Sequence, residues 1–345
     1  MAIGRILAID IGAGTQDVLI YDPDLGPENC LKMVLPSMTR IIGSRVRTAT
    51  AQRRPIHLDG SLMGGGASSD AIKDHIAARL TVTATPNAAR TIHNDLDKVA
   101  AMGIQLTEGA APHAAEVITL GDVDIGVLQS ALTAFEVSLP DTVALAVQDH
   151  GYLPGRGNND LRFEYLNQLI DEGGDLTRMV FQTPPAAMSR MAAVAALVPG
   201  TYLMDTGAAA VLGVLGDPIV ARAVHDEGAI LVNVGNMHTF AVLVRGTRLF
   251  GLFEHHTGGI SPTIVAELVG RLQQGTITNQ EFRREFDGHG AALDPAYHEH
   301  GPFHFVAVTG PNRHLVRELG YHEAAPFGGH DAIRSVRSRG GRPSA

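Results

Sequence analysis

The sequence predicts an α/β protein built from two similar domains, and three observations predict it. The first is the stretch 6–22, ILAIDIGAGTQDVLIYD, where an apolar run reaches Asp10, passes a glycine turn and returns as a second apolar run. The second is a partial echo at 229–245, with Asn233 in the place of Asp10 and Gly235 in the place of Gly12. The third is a length of 345 residues with 45% hydrophobic residues and 39 glycines, enough for two cores with many tight turns.

The opening hairpin carries the first chemical expectation. A glycine turn lets backbone N–H groups converge on an anion without interference from a Cβ. Asp10, leaving the first strand at that turn, is placed to hold Mg²⁺ through water. The plainer alternative is a tight hairpin with solvated acids.

Composition narrows the rest. A net charge of −9 argues against nucleic acid as a partner. A single cysteine, Cys30, excludes an internal disulfide and any iron–sulfur cluster held by cysteines of one chain. No apolar run approaches the roughly 18 residues that span a bilayer, so no membrane partner is expected. The first strand starts almost at once, so no signal peptide and a cytoplasmic location are expected. The acceptor, a small molecule or a protein, is not specified, and a homodimer is left open.

The remaining elements follow in order. Residues 32–35 read as a short strand, and 37–55, with arginines at 40, 45, 47, 53 and 54, as an edge strand and loop. Glycines 64–66 precede a helical pattern at 70–80, an anion site in principle and a helix cap on the plainer reading. Short strands with a helix near 88–102 occupy 81–120, and 122–135 reads as a helix. The strand at 141–151 ends in Asp149, His150 and Gly151, where doubly wound sheets place their ligands. A loop (152–160), a helix (161–172), a strand (179–182) and an Ala-rich helix (186–197) complete a first domain, 1–200. A second domain, 201–327, opens with strand, glycine turn and strand at 201–217, with Asp205 at the turn. It continues with a β-meander at 229–256, helices at 262–274 and 278–286, and a strand, Thr-Gly-Pro turn and helix at 304–319. Residues 328–345 read as a disordered basic tail.

DIGAGTQD, NVGNMHT and VTGPNR resemble the two phosphate motifs and the adenosine motif of the actin-like ATPase superfamily. The phrases MGGG, VQDHG, MDTGAA, EHHTGG and DGHGA, with NVGNMHT and VTGPNR, resemble an uncharacterised prokaryotic family labelled as pyruvate formate-lyase activating enzymes. The resemblance implies two ribonuclease-H-like domains with a cleft between them, and a nucleotide-binding protein. It points to an ATP-dependent phosphotransferase or ATPase that uses ATP and Mg²⁺. By the same resemblance Gly12, Gly14, Thr15, Asp17, Gly235, Asn236, His238, Thr239 and Gly310 bind the nucleotide, and Asp10 and Asp205 hold Mg²⁺ through water. Asp149 is the first choice of general base and His150 the alternative, against a reading of both as a hydrogen-bonded strand-end turn. A radical activase needs three closely spaced cysteines for its cluster, and this chain has only Cys30, so that activity is rejected. Two departures weaken the ATP reading: Asn233 stands where an active ATPase has Asp, and Gly310 is followed by Pro311, which lacks an N–H.

Among sixteen histidines, His150, His238, His255, His256 and His289 fall beside glycines at strand ends, with Glu254 next to His255. Glu254, His255, His256 and His289 form a candidate transition-metal set for Zn²⁺, Mn²⁺ or Fe²⁺. Adjacent His255 and His256 on a strand point to opposite faces, so at most one joins a given site. Hydrogen-bonded structural histidines are the favoured reading. Three functions therefore compete: an ATP-dependent enzyme, a non-catalytic ligand-binding or partner-regulating relative, and a metal-dependent enzyme.

Overall fold

The computed structural model describes residues 4–109 and 111–325. The chain divides into two units. Met1–Asp24, Cys30–Leu161 and Val180–Thr206 make the first, and Leu25–Asn29, Arg162–Met179 and Gly207–Ala345 the second. The tail expected at 328–345 lies outside the described residues.

The first unit starts with an antiparallel meander, β1 (Ile6–Ile11), β2 (Thr15–Tyr21) and β3 (Leu31–Pro36). Strict alternation decides its faces: Leu7, Ile9 and Ile11 are buried while Asp10 is exposed. A parallel insertion follows: α1 (Met38–Ala51), β4 (Ile56–Gly60), α2 (Gly66–Ala77), β5 (Val82–Ala84), α3 (Pro86–Ala89), α4 (Leu96–Ala101), β6 (Ile104–Leu106) and β7 (Glu116–Leu120). Its strands pair in the order β6-β5-β4-β7. The edge strand expected at 37–55 is helix α1. Ile42, Val46 and Ala49 recur at helical spacing and are buried against the inserted sheet, so the arginines occupy the other faces.

Helix α5 (Ile125–Thr133) and strand β8 (Thr142–Val147) return the chain to the first sheet, and α6 (Asn158–Asp171) carries it into the second unit. The first unit is completed by β9 (Val180–Phe181), α7 (Ser189–Leu197) and β10 (Tyr202–Met204). β8 lies parallel to β1, and β10 parallel to β8, giving the order β3-β2-β1-β8-β10-β9.

At 206–213 the expected strand is a helix, α8 (Thr206–Gly213). Ala208 and Val211 are buried at a three-residue spacing that a strand would split between its two faces. Helix α9 (Pro218–Asp226) precedes a second meander, β11 (Ala229–Val234), β12 (His238–Arg245) and β13 (Arg248–His256). Then come α10 (Pro262–Gln274), α11 (Asn279–Phe286), β14 (Gly290–Leu293), β15 (Phe305–Thr309) and β16 (His322–Glu323). A 3₁₀ helix, Arg313–Leu319, stands where an ordinary helix was expected after β15. The sheet order is β14-β13-β12-β11-β15-β16, with β15 parallel to β11 and β16 parallel to β15. Its core is apolar, with Phe240, Phe253, Phe282, Phe303 and Tyr297 each at most 2% exposed.

Both sheets share one plan: a three-stranded meander, then two parallel strands laid beside its first strand. That is the ribonuclease-H-like arrangement of actin-like ATPase domains, found once in each unit. Among the described residues no single helix is long and apolar enough to cross a membrane. Thr206–Gly216 and Pro218–Asp226 pass that test only together, across a 99° bend.

Candidate functional site

The two hairpin turns have the same backbone geometry. The Gly12 N–H donates to Thr15 O at 2.9 Å, and the Gly235 N–H donates to His238 O at 3.0 Å. Each turn is gripped from outside. Ser37 donates its N–H to Gly14 O at 3.2 Å and its hydroxyl to Ala13 O at 3.1 Å. Asn312 donates its N–H to Val234 O and its amide to Gly235 O, both at 3.0 Å. The Gly12 and Gly235 N–H groups, expected to meet phosphate, are therefore spent inside their turns. A Cβ on Gly235 would stand 2.7 Å from His238 O, so the tight turn needs glycine. A Cβ on Gly14 would meet nothing within 4 Å, so that side of the first turn is open.

Gly310 has a different task. Its φ is +97°, and a Cβ there would run into Val234 O and come within 2.6 Å of Asn233 Oδ1. The loop after β15 thus closes directly on the end of β11. Thr239, expected at the nucleotide, is fully buried with its hydroxyl 3.1 Å from that of Thr257. Asn236 is exposed at the second turn, and Thr15 Oγ1 reaches Asp17 Oδ2 at 3.5 Å along β2, beside the first.

Asp10 and Asp17 are direct cross-strand partners. In register, Asp10 lies level with Ala146 of β8, and Ala146 with Met204 of β10, so Asp205 follows at the same end of the sheet. The Asp10 carboxyl is pushed up to about 7, first by desolvation and then by the negative charges of Asp17 and Asp205. Its side chain is nevertheless exposed, so water screens part of the desolvation, and the repulsion between carboxylates is the cause a cation would reverse.

Asp149 is differently placed. It is buried, one oxygen accepts the Gly151 N–H at 2.8 Å, and the other accepts the Met191 N–H at 2.9 Å. Burial raises its carboxyl above the usual range, and these backbone donors with Arg190 pull it back. The two backbone donors tie the end of β8 to the start of α7, the hydrogen-bonded strand-end turn of the plainer reading. His150 Nδ1 stands 3.1 Å from Asn159 Oδ1, so Nδ1 carries the proton and Nε2 the lone pair.

Two side chains escaped the sequence reading. Arg190 donates Nε and Nη2 to Asp122 Oδ2 and Oδ1, both at 2.7 Å, and Nη1 to Gln148 O at 2.9 Å. Asp122 also accepts the Gly64 N–H at 3.1 Å, and a Cβ on Gly64 would lie 2.7 Å from Arg190 Nη2. The MGGG stretch thus lets backbone lie against this buried ion pair. The residues are 68 apart in sequence, and no local pattern links them.

In the second unit, His238 and His256 are cross-strand partners on β12 and β13. His289, 3% exposed, packs on both: ring centroids are 4.5 Å away for His238 and 4.2 Å for His256. His289 Nε2 and His256 Nε2 are 3.1 Å apart, and His289 Nδ1 is 3.7 Å from Glu254 Oε2. The buried Glu254 carboxylate accepts Arg162 Nε at 2.6 Å. The His256 imidazolium is disfavoured by desolvation, then by His289 and His255, against the pull of Asp287 and Glu254. His255 points away, as strand alternation requires. Its Nδ1 meets His256 O at 2.9 Å and its Nε2 meets Phe286 O at 2.7 Å, so neither ring nitrogen is placed to take a metal.

No curated protein matches the chain in sequence. Among solved structures, the chain is similar to the ethanolamine utilization protein EutJ from Carboxydothermus hydrogenoformans. That match has 11% identity, covers 95% of this chain and 86% of that one, and has a TM-score of 0.30. A PilM–PilN type IV pilus biogenesis complex matches at 12% identity over 91% and 84%, with a TM-score of 0.35. The Ppx/GppA phosphatase of Aquifex aeolicus matches at 11% identity over 94% and 74%, with a TM-score of 0.26. A family model matches residues 63–315, which include MGGG, the Asp149–His150 strand end, the second hairpin and the Gly310 loop. The chain belongs to that family, described as "Putative pyruvate format-lyase activating enzyme (DUF1786)".

Proposed function

We propose that the chain binds a magnesium–nucleotide and acts as an ATP-dependent phosphotransferase or ATPase. The observation that carries this reading is the carboxylate group at the strand ends of the first unit. Asp10 faces Asp17 across the hairpin, and the neighbouring charges of both Asp17 and Asp205 act on it. Such a donor set suits a hard divalent cation taken up through water. The open space over Gly14 leaves room for a phosphate beside it, with the Ala13 and Gly14 N–H groups as the donors. In this assignment Asp10 and Asp205 hold the ion, whose positive charge offsets that of the phosphates. His150, with its proton on Nδ1, offers Nε2 as the acceptor for an acceptor hydroxyl's proton. The radical activity in the family label is excluded for a single chain by its one cysteine.

A second reading, nucleotide binding without turnover, is favoured by two observations. Asn233 ends the second hairpin strand without a charge, and Asp149 is committed to two backbone donors. One experiment separates the readings: thermal denaturation with ATP, ADP and GTP, each with and without Mg²⁺, alongside a single-turnover assay for released or transferred phosphate. We expect a magnesium-dependent rise in Tm with ATP and phosphate release. A rise without phosphate release selects the binder, and no rise at millimolar nucleotide removes both.

A further inference from the structure

We propose that Arg190 is a positioning residue for the magnesium site, acting on Asp205 through the peptide group between Gln148 and Asp149. The inference rests on the nucleotide reading above, since it takes Asp205 as a ligand of the ion. Arg190 Nη1 donates to Gln148 O at 2.9 Å, and the Asp149 N–H donates to Asp205 Oδ2 at 3.4 Å. That carbonyl and that N–H belong to one peptide group, which is planar and, in its trans form, points them in opposite directions. The guanidinium therefore sits at one end of the peptide dipole and the Asp205 carboxylate at the other. A cation on the carbonyl oxygen makes the N–H a stronger donor, as hydrogen bonds in a chain polarise one another.

The surroundings hold Arg190 still. It is the second residue of α7, and Asp122, 2% exposed, follows β7. Two hydrogen bonds at 2.7 Å join them, a fork-to-carboxylate geometry that fixes a guanidinium in direction as well as in place. Asp122 is itself steadied by the Gly64 N–H, and glycine is needed there because a Cβ would lie 2.7 Å from Arg190 Nη2. Beyond the same peptide, the Asp149 carboxylate accepts the N–H groups of Gly151 and Met191, which ties down the chain that follows β8. Burial opposes the Arg190 charge, and the carboxylates of Asp122, Asp149 and Asp205 hold it above its ordinary range. All of these groups lie in the first unit.

The opposing explanation is a buried ion pair that staples α7 to the end of β7 and does nothing for Asp205. Charge separates the two. The negative charges of Asp17 and Asp205 both act on Asp10 at these strand ends. A ligand carboxylate held by an N–H before the cation arrives loses less freedom on binding it.

The test is a double-mutant cycle, read by isothermal titration of the full chain with ADP in the presence and absence of Mg²⁺. The quantity measured is the factor by which Mg²⁺ tightens ADP binding. Arg190→Met together with Asp122→Asn removes both buried charges and leaves neither uncompensated. We expect this pair, and Asp205→Asn, each to cut the magnesium factor about tenfold, and the two changes combined to cut it no further. A merely structural Arg190 would lower the factor as much with Asp205→Asn present as without it. Circular dichroism checks each fold. Arg190→Lys, which keeps the charge but lacks the fork to hold Asp122 and Gln148 O together, replaces the pair if the pair unfolds, with the same loss and the same non-additivity expected. Full additivity with Asp205→Asn, or an unchanged factor in a folded Arg190 variant, overturns the positioning role and leaves the nucleotide reading standing. A wild type whose ADP binding Mg²⁺ does not tighten, or Asp205→Asn that keeps the full factor, removes the magnesium assignment itself and the positioning role with it.

Discussion

Asp10 is the residue whose charge state the rest of its unit resists. Its carboxyl sits at about 7 in the folded chain against an ordinary value of 3.8. The folded state therefore holds this proton more tightly than the unfolded one, and stability from this group falls as pH rises from about 3.8 to about 7. Asp10→Asn should raise Tm at pH 8 and change it much less near pH 4, where aspartate is protonated as well. Mg²⁺ should raise the Tm of the wild type at pH 8 and leave that of the variant unmoved. Thermal denaturation at both pH values reads this, and a variant less stable than the wild type at pH 8 refutes it. The hairpin that carries Asp10 and Asp17 was legible in the sequence, because a glycine turn separates two apolar runs; their register as cross-strand partners comes from the structure. Ser37 and the Asp122–Arg190 pair were not legible, since their partners lie far along the chain. His238 showed as a residue of a phosphate motif, and only its cross-strand register with His256 joins it to the other imidazoles.

At the scale of elements, the strands were easier to read than two of the helices. Period-two alternation marks β1, β2 and β3 because one face of each meets a core. Helix α1 was obscured by its arginines, which drew attention from the spacing of Ile42, Val46 and Ala49. Helix α8 was obscured by the glycine-and-alanine composition it shares with turns. The loop after β15 shows what a single backbone position does. Gly310→Ala would require a residue with a Cβ to hold φ near +97° while pressing on Val234 O. We expect a loss of about 2–3 kcal/mol, from positive-φ strain added to the contact with Val234 O. Urea denaturation measures the loss, and hydrogen exchange should show faster opening where β11 meets β15. A loss under about 0.5 kcal/mol would mean the loop moves aside at little cost.

For the whole molecule, the repeated plan was visible as a faint echo between two hairpins, and the matching strand orders establish it. What the sequence hid is how the chain is shared. The backbone changes unit five times, and part of the second unit's core is made before residue 180. Arg162 grips the buried Glu254, the Leu176 N–H donates to Thr247 O, and the Leu249 N–H donates to Gly174 O at 2.7 Å. A fragment beginning at 201 omits all of these partners, and losing one member of a buried ion pair alone costs about 3–5 kcal/mol. Fragment 201–345 should therefore unfold at lower urea than fragment 158–345, which keeps α6. Equal midpoints would show that residues 162–179 add nothing to the second unit.

The grips on the two turns have a consequence for ancestry. Ser37 enters from the start of a helix, whereas Asn312 enters from the loop after a parallel strand, yet each seizes two turn carbonyls. If the halves descend from one duplicated gene, what has been inherited is a backbone shape, and the clamp around it has been reinvented. Each half can then drift under its own selection, so kinship between such halves is better sought in patterns of main-chain bonding than in matching letters.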